Sequence, residues 1–492
     1  MASSSSRPGL IGYLSQALSD VSANLRDKLI HLTYGPAIAI AKPAILSLLS
    51  SIELGTLILI DEHHRERHVF GRPLLESLDL NKNTASVIPN GNSRPFADGH
   101  ANPAVTLTVT SPNFYLRLLL LADMGFAQSY LLREVVCSDL TAFFRLFILN
   151  RARLNNGSAR PSSPFLSTAL SLLLLGCSNT AETALLNASA HYDLGNALFA
   201  AFLSADMTYS CPVWAPLPRQ ETDEEETLEA AQLRKIHRVI ASARIKRGDH
   251  VLEIGTGWGS FAIEAVKTTG CRVTTVTLSR EQKAWVEERV RREGLGCKVD
   301  VLLLDYRAIP AVPGGYDKIV SIEMVEAVGK DHLAAYFGVV HRLLKREGGI
   351  AVLQCITMPE GRQAAYEERE DFINRYIFPG GYLPSITQLL DHITAESNGT
   401  LIVESVANIG GHYARTLRLW RERFLANYDA KIRQVLAEKH PDTTEEELDV
   451  FRRKWEYYFS YCEAGFLTKT LGDVIITVGR EGAMELMEGI PL

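Results

Sequence analysis

Between Gly248 and Val266 the hydrophobic period changes from that of a strand to that of a helix across a glycine joint. Val251, Leu252 and Ile254 form a short apolar run of the buried parallel-strand type, and Phe261, Ala262, Ala265 and Val266 then recur at helical spacing. Gly255, Gly257 and Gly259 fall at the junction, where backbone freedom allows a tight turn and close approach of a ligand to the free N–H groups of the next helix. Further strand candidates at 271–276, 299–303, 317–321 and 350–354 alternate with helix-period segments to about residue 360. With a helical stretch from about Thr183 ahead of them, they predict an α/β fold with a doubly wound parallel sheet.

Upstream, residues 55–61 and 69–71 read as a strand pair joined by a charged turn, His63 to Arg67, and residues 105–109 alternate as another strand. Pro112 to Arg151 carries helical periodicity, Asp79 to Pro103 reads as an exposed loop, and Asn155 to Ser163 as a linker. Leu14, Leu18, Val21 and Leu25 could form an amphipathic turn series in an otherwise loose N-terminus. The expected organisation is a partly helical tail (1–52), a small α+β domain (53–152), a linker (153–182), the main domain (183–480) and a C-terminal tail (481–492).

Composition narrows the function classes. The 492 residues are 46% hydrophobic with a formal net charge of −6 and no basic block, which disfavours nucleic acid as a partner. Seven cysteines without a C-x-x-C pair fit a reducing compartment, and no zinc pattern is present, so no metal is expected. The apolar stretch Ala37–Leu49 is interrupted by Lys42 and Pro43, and Leu166–Leu175 is too short to span a bilayer. A cytoplasmic enzyme is expected. The glycine spacing is G-x-G-x-G, and the second strand ends in Thr277-Leu278-Ser279 without a carboxylate, both of which count against a nicotinamide dinucleotide.

A series of segments carries a more specific signal. His191-Tyr192-Asp193-Leu194-Gly195-Asn196, Met207-Thr208-Tyr209-Ser210-Cys211, Glu253 to Gly259 and Val276 to Gln282 come first. Ser321 to Gly329, Tyr376 to Ser385 and His412 to Leu417 follow in that order. Together they resemble the cyclopropane-fatty-acyl-phospholipid synthase family, including its relatives that modify mycolic acids, over about residues 53–480. The resemblance implies a Rossmann-like class I methyltransferase sheet with a helical cap and a C-terminal lid, after a small lipid-presenting domain. It implies S-adenosylmethionine as donor and an unsaturated phospholipid acyl chain as acceptor. It further implies peripheral association with a membrane surface, and it allows a homodimer. Carried over by position, Tyr209, Ser210, Glu253, Gly255, Gly257 and Gly259 would meet the methionine part of the cofactor. Thr277, Leu278, Ser279 and Gln282 would take the ribose side, and Asp305 and Tyr306 the adenine.

The implied chemistry is methyl transfer to an isolated C=C, followed by loss of a proton from the new methyl as a cyclopropane closes. In this family a bicarbonate ion serves as the base, and the matching positions are Cys211, Glu326, the backbone of Ile356, and Tyr413. Cys462 matches a cysteine long proposed as catalytic. One position departs: Gln354 stands where the best-known members carry histidine, so it cannot become cationic and the ion should be held more weakly. A methyl branch or a methylene group is then the alternative outcome. Outside this family, a nicotinamide dehydrogenase and a lipid-binding protein without activity are the competing classes. For Glu326 alone, the plain alternative is a surface helix cap.

Overall fold

The computed structural model describes residues 37–72, 103–156, 195–216 and 226–491. The chain divides into two compact units, residues 1–189 and 190–492. The N-terminal amphipathic pattern, most of the 79–103 loop, residues 157–182 of the expected 153–182 linker and His191 lie outside the described residues, while 153–156 are helical.

In the first unit, helix α1 (residues 37–49) buries Ala41, Ile45 and Leu49, spaced four apart as one helical stripe requires. Strands β1 (Thr56–Asp61) and β2 (Glu66–Gly71) form the antiparallel hairpin that the charged turn predicts. β3 (Ala104–Val109) pairs parallel to β1, and α2 (Asn113–Leu121), α3 (Asp123–Leu131), β4 (Val135–Cys137) and α4 (Leu140–Asn156) complete the unit. β4 adds an antiparallel edge strand within the region read as helical, too short to show a period of its own.

The second unit holds a seven-stranded sheet. Helices α5 (Asn196–Phe202) and α6 (Leu228–Ser242) lead into β5 (His250–Ile254), α7 (Ser260–Thr269), β6 (Arg272–Thr277), α8 (Arg280–Arg292), β7 (Val299–Leu303) and β8 (Lys318–Ile322). Then come α9 (Leu333–Leu343), β9 (Ile350–Thr357), α10 (Glu360–Glu367), α11 (Phe372–Tyr376) and α12 (Ile386–Glu396). They are followed by β10 (Ile402–Asn408), α13 (Gly411–Asn427), α14 (Arg433–Lys439), α15 (Glu445–Leu467) and β11 (Gly472–Gly479). The strand order is β10-β11-β9-β8-β5-β6-β7, parallel except for β11, which runs antiparallel to both neighbours. Each of the five strand candidates of the apolar pattern is found within a residue or so, β9 being three residues longer. β10 and β11 are additions: β11 has every residue buried because it lies inside the sheet, whereas β10 is an exposed edge.

The stretch expected as a C-terminal tail is anchored to this unit. Glu485 pairs with Lys246 and with the buried Lys318, and the N–H of Gly348 donates to the carbonyl of Glu481 at 2.9 Å. Ligand sites in open α/β sheets form beyond the carboxyl ends of the strands, and here those ends are Ile254, Thr277, Leu303, Ile322 and Thr357.

Candidate active site

The glycine turn is shaped by the conformations that only glycine adopts without strain. Gly255, Gly257 and Gly259 have φ of +103°, +52° and +86°. A Cβ on Gly259 would lie 2.7 Å from Val286 of α8, so that glycine is needed for helix packing. A Cβ on Gly257 would enter open space, the side from which a ligand can approach the turn and the first N–H groups of α7. Beneath the turn, the Thr275 hydroxyl contacts the Glu253 carboxyl at 2.5 Å and the Thr256 hydroxyl at 2.8 Å. Burial pushes Glu253 up to about 8, so this carboxyl faces the sheet as a support for the turn.

The segment before α6 is fastened to this turn. Arg289 donates to the carbonyls of Trp258 (2.6 Å) and Asp206 (3.1 Å), the Ser260 hydroxyl donates to the Asp206 carbonyl, and Trp258 Nε1 donates to Asn196 at 3.0 Å. Tyr209 and Ser210 are thereby held beside the glycines. The Tyr209 hydroxyl meets that of Tyr458 at 2.8 Å, and its ring packs against Phe199 and Trp420. Ser210 accepts a hydrogen bond from the buried Lys235 at 2.6 Å. At the end of β6, the Thr277 hydroxyl donates to Gln282, and Ser279 caps α8 through the Gln282 N–H. Leu278 is 72% exposed beside them. Asp305 is tied to Arg307, which holds its carboxyl down at about 2, and Tyr306 is buried in the core below. An open glycine cradle and hydroxyls at the end of β6 fit S-adenosylmethionine.

Beyond the turn lies a cluster of carboxyls, organised around Glu323. Oε1 of Glu323 accepts from the Cys211 N–H (2.7 Å) and from Gln354 Nε2 (2.8 Å), and Oε2 accepts from the Tyr413 hydroxyl (2.7 Å). Its backbone has φ +47°, a left-handed conformation that costs a residue with a Cβ on the order of 1–3 kcal/mol. Three hydrogen bonds to a charged acceptor can offset that cost at roughly 1.5–3 kcal/mol each. Cys211, Gln354 and Tyr413 are three of the groups expected around a bicarbonate ion, and here they close on a carboxylate supplied by the chain. The donor set does not fit a separate anion at that point.

The other expected residues converge nearby. Glu326 accepts from the Ile356 N–H, while its other oxygen is buried without a partner; burial and the neighbouring Glu323 push it up to about 8. Glu326 is thus part of the pocket and no surface cap. Cys211 contributes its backbone; its thiol is fully buried and held neutral by that burial. Tyr413 packs on Phe466 and Trp420, with ring centroids 4.7 and 5.8 Å away. Cys462 sits on α15 with its thiol pushed well up by burial, far from the thiolate that a nucleophile or base would need.

Three contributors escaped the sequence reading. Glu323 lies within the Ser321 to Gly329 segment, three residues before Glu326. Lys235 lies on the apolar stripe of α6 with Leu228, Ala231, Gln232, Ile236 and Val239, and a lone lysine on such a stripe was a usable signal. Asp473, at the start of β11, is fully buried and accepts from Gln354 Nε2 at 3.1 Å.

Comparison with known proteins gives the same direction. A family model described as mycolic acid cyclopropane synthetase matches residues 179–475. The tuberculostearic acid methyltransferase UfaA1 of Mycobacterium tuberculosis is 39% identical over 398 residues, covering 78% of this chain and 86% of its own. The cyclopropane-fatty-acyl-phospholipid synthase of Escherichia coli K12 is 32% identical over 382 residues, 77% and 90% respectively. Among solved structures, the cyclopropane synthase MmaA2 of M. tuberculosis superposes with a TM-score of 0.50 at 26% identity, covering 60% of this chain and 98% of that one. A coclaurine N-methyltransferase bound to S-adenosylhomocysteine reaches a TM-score of 0.53 at 19% identity, over 73% of this chain and 99% of that one, a likeness of fold alone. On the span of the family model and the identity to full-length relatives, the chain belongs to the mycolic acid cyclopropane synthetase family.

Proposed function

We propose that the protein transfers the methyl group of S-adenosylmethionine to the C=C of an unsaturated acyl chain in a lipid, with Glu323 as the built-in proton acceptor. When bound, the cofactor supplies an electrophilic sulfonium methyl. The alkene π pair forms the new C–C bond as the C–S bond breaks, releasing S-adenosylhomocysteine and leaving a cation on the adjacent carbon. Glu323 and the aromatic faces of Tyr413, Trp420 and Phe466 supply negative density to that cation.

The observation that carries this reading is that the Glu323 carboxylate fills the donor ring assigned to bicarbonate. A trioxo anion on the same donors would keep a third oxygen for substrate. Glu323 has its carbon stem in that direction, and both oxygens are already engaged. Deprotonation of the new methyl is then slower, and a 1,2-hydride shift can move the cation to the methyl-bearing carbon first. Loss of a methyl proton to Glu323 from that isomer gives a methylene branch, C=CH₂, on the open chain. A saturated methyl branch would need a separate reductant. Similarity to the tuberculostearic acid methyltransferase supports methyl transfer as the reaction. Ring closure, the outcome expected from the resemblance and the one named for the E. coli relative, needs only that the proton leave before the hydride moves.

Among the described residues no helix is long and apolar enough to cross a membrane. The acyl chain is reached by docking on the lipid surface, and Phe378, 42% exposed and packed against Tyr209 and Tyr458, is an apolar group available for that contact. The test is incubation of the purified protein with oleoyl phospholipid vesicles and cofactor in degassed buffer, with and without bicarbonate. Acyl products are separated by gas chromatography before and after hydrogenation, which consumes a methylene group and spares a ring under mild conditions. Methylene product at a rate indifferent to bicarbonate is expected. A cyclopropane product whose rate follows bicarbonate overturns the role of Glu323, and failure to transfer any methyl to the lipid overturns the whole reading.

A further inference from the structure

The Gln354 amide poses a counting problem. Its Nε2 carries two hydrogens and faces three acceptors: the Cys211 carbonyl at 3.2 Å, Glu323 Oε1 at 2.8 Å and Asp473 Oδ2 at 3.1 Å. Turning the amide over would aim its carbonyl oxygen at all three and leave none satisfied. One of the three must bring its own proton, and a backbone carbonyl cannot. Glu323 already receives three hydrogen bonds, whereas Asp473 is 0% exposed and its Oδ1 has no partner.

We propose that Asp473 is a positioning residue that stays a neutral carboxylic acid in the working enzyme, fixing Gln354 and thereby leaving Glu323 as the single charged carboxylate of the pocket. The inference deepens the reading of Glu323 as proton acceptor and rests on it. It also explains how glutamine works where a cationic histidine was expected: with one neutral acid as a neighbour, the amide spans two carboxyls without a positive charge.

The surroundings agree. Asp473 is faced by Glu323 after β8, by Glu326 in the following turn, by Gln354 and the neutral Cys355 thiol on β9, by the neutral Cys211 thiol, and by Lys235 from α6. Burial and the two glutamates hold its carboxyl well above the usual range. The nearby cation, Lys235, donates to Ser210. Across the strand pair, Asp473 opposes Ile356, whose N–H donates to Glu326.

Asp473→Asn imitates the neutral acid, with an N–H₂ donor where the protonated oxygen facing Gln354 and Glu323 stood. It should keep kcat at neutral pH within about threefold, against a loss of about a hundredfold or more for a missing base. Wild-type kcat should fall as pH rises through the ionisation of Asp473, and the Asn variant should lose that limb. Asp473→Ala, which frees Gln354, should lower kcat more than it raises KM. An Asn variant that binds cofactor normally yet is as impaired as Ala overturns the proposal, as does an unchanged alkaline limb. A spectroscopic arm is independent of what reaction is catalysed: with aspartate labelled at its carboxyl carbon, the infrared spectrum at neutral pH should show an isotope-shifted carboxylic-acid band that Asp473→Asn removes. Absence of the band in the wild type overturns the proposal even if the variant fails to fold.

Discussion

Two buried aspartates, one in each unit, show how partners decide what burial does to a carboxyl. Asp61 at the end of β1 is fully buried. It accepts from Lys42 at 2.8 Å, from the Tyr115 hydroxyl at 2.8 Å, and from His64 through both backbone N–H (2.9 Å) and ring (2.8 Å). Burial raises its pKa more than any single partner lowers it, but the partners together hold it far below the usual carboxylate range. Asp473 is equally buried but shares one amide with two competitors and lies among acids, and it is driven upward. A fully donated carboxylate is a structural clamp; an under-donated group of carboxyls stores protons and is where proton transfer can occur.

The comparison breaks first at Glu323. Glu323→Gln keeps the shape but removes the acceptor, so kcat should fall by about 10²–10⁴. Cofactor affinity should fall less than about tenfold, because the charge acts mainly on the developing cation. Calorimetry alongside a turnover assay measures both, and a fall in affinity that matches the fall in rate would assign Glu323 to binding.

Next is the clamp. Asp61→Ala leaves Lys42 charged and 12% exposed without its buried partner, which should destabilise the first unit by about 3–5 kcal/mol. Peptide-resolved hydrogen exchange should show the loss in residues 37–72 and 103–156 and leave turnover per folded molecule little changed. A change confined to turnover would contradict the structural role.

The smallest effect is in pH. The depressed Asp61 contributes stability that is present above the ordinary carboxylate range and lost as pH falls through its lower folded value. Glu326 and Glu253, raised to about 8, contribute stability that is full below the ordinary glutamate range and lost as pH rises through about 8. From pH 6 to 9 the second unit should weaken by about 2–3 kcal/mol for each such group while the first does not. The same exchange experiment at both pH values reads this, and parallel loss in both units would refute it.

Much of this was legible in the chain. The glycine turn and five parallel strands follow from short-range periodicity, whereas Tyr209, Ser210, Glu326, Ile356 and Tyr413 were named only through the family resemblance. Glu323 was visible as a residue and hidden as a role, because only its left-handed backbone turns the carboxylate toward Cys211 and Tyr413. Asp473 was out of reach for a different reason: its meaning comes from β11 pairing with β9, and the apolar run after it looks the same at an edge or inside a sheet. The expected weak bicarbonate site turned on Gln354 alone, without the acid that faces it.

The sequence distances within the pocket also bear on how its assembly is judged. Gly255 to Gln282 spans one local turn of chain, whereas Gln354 meets Asp473 across 119 positions and Cys211 meets Glu323 across 112. Contacts that far apart close late and open early, while a local βαβ unit forms on its own schedule. Retained affinity for the cofactor therefore certifies the glycine turn and the segment held against it, and leaves the carboxyl cluster untested. Preparations should be graded by the fraction of molecules that complete a first turnover.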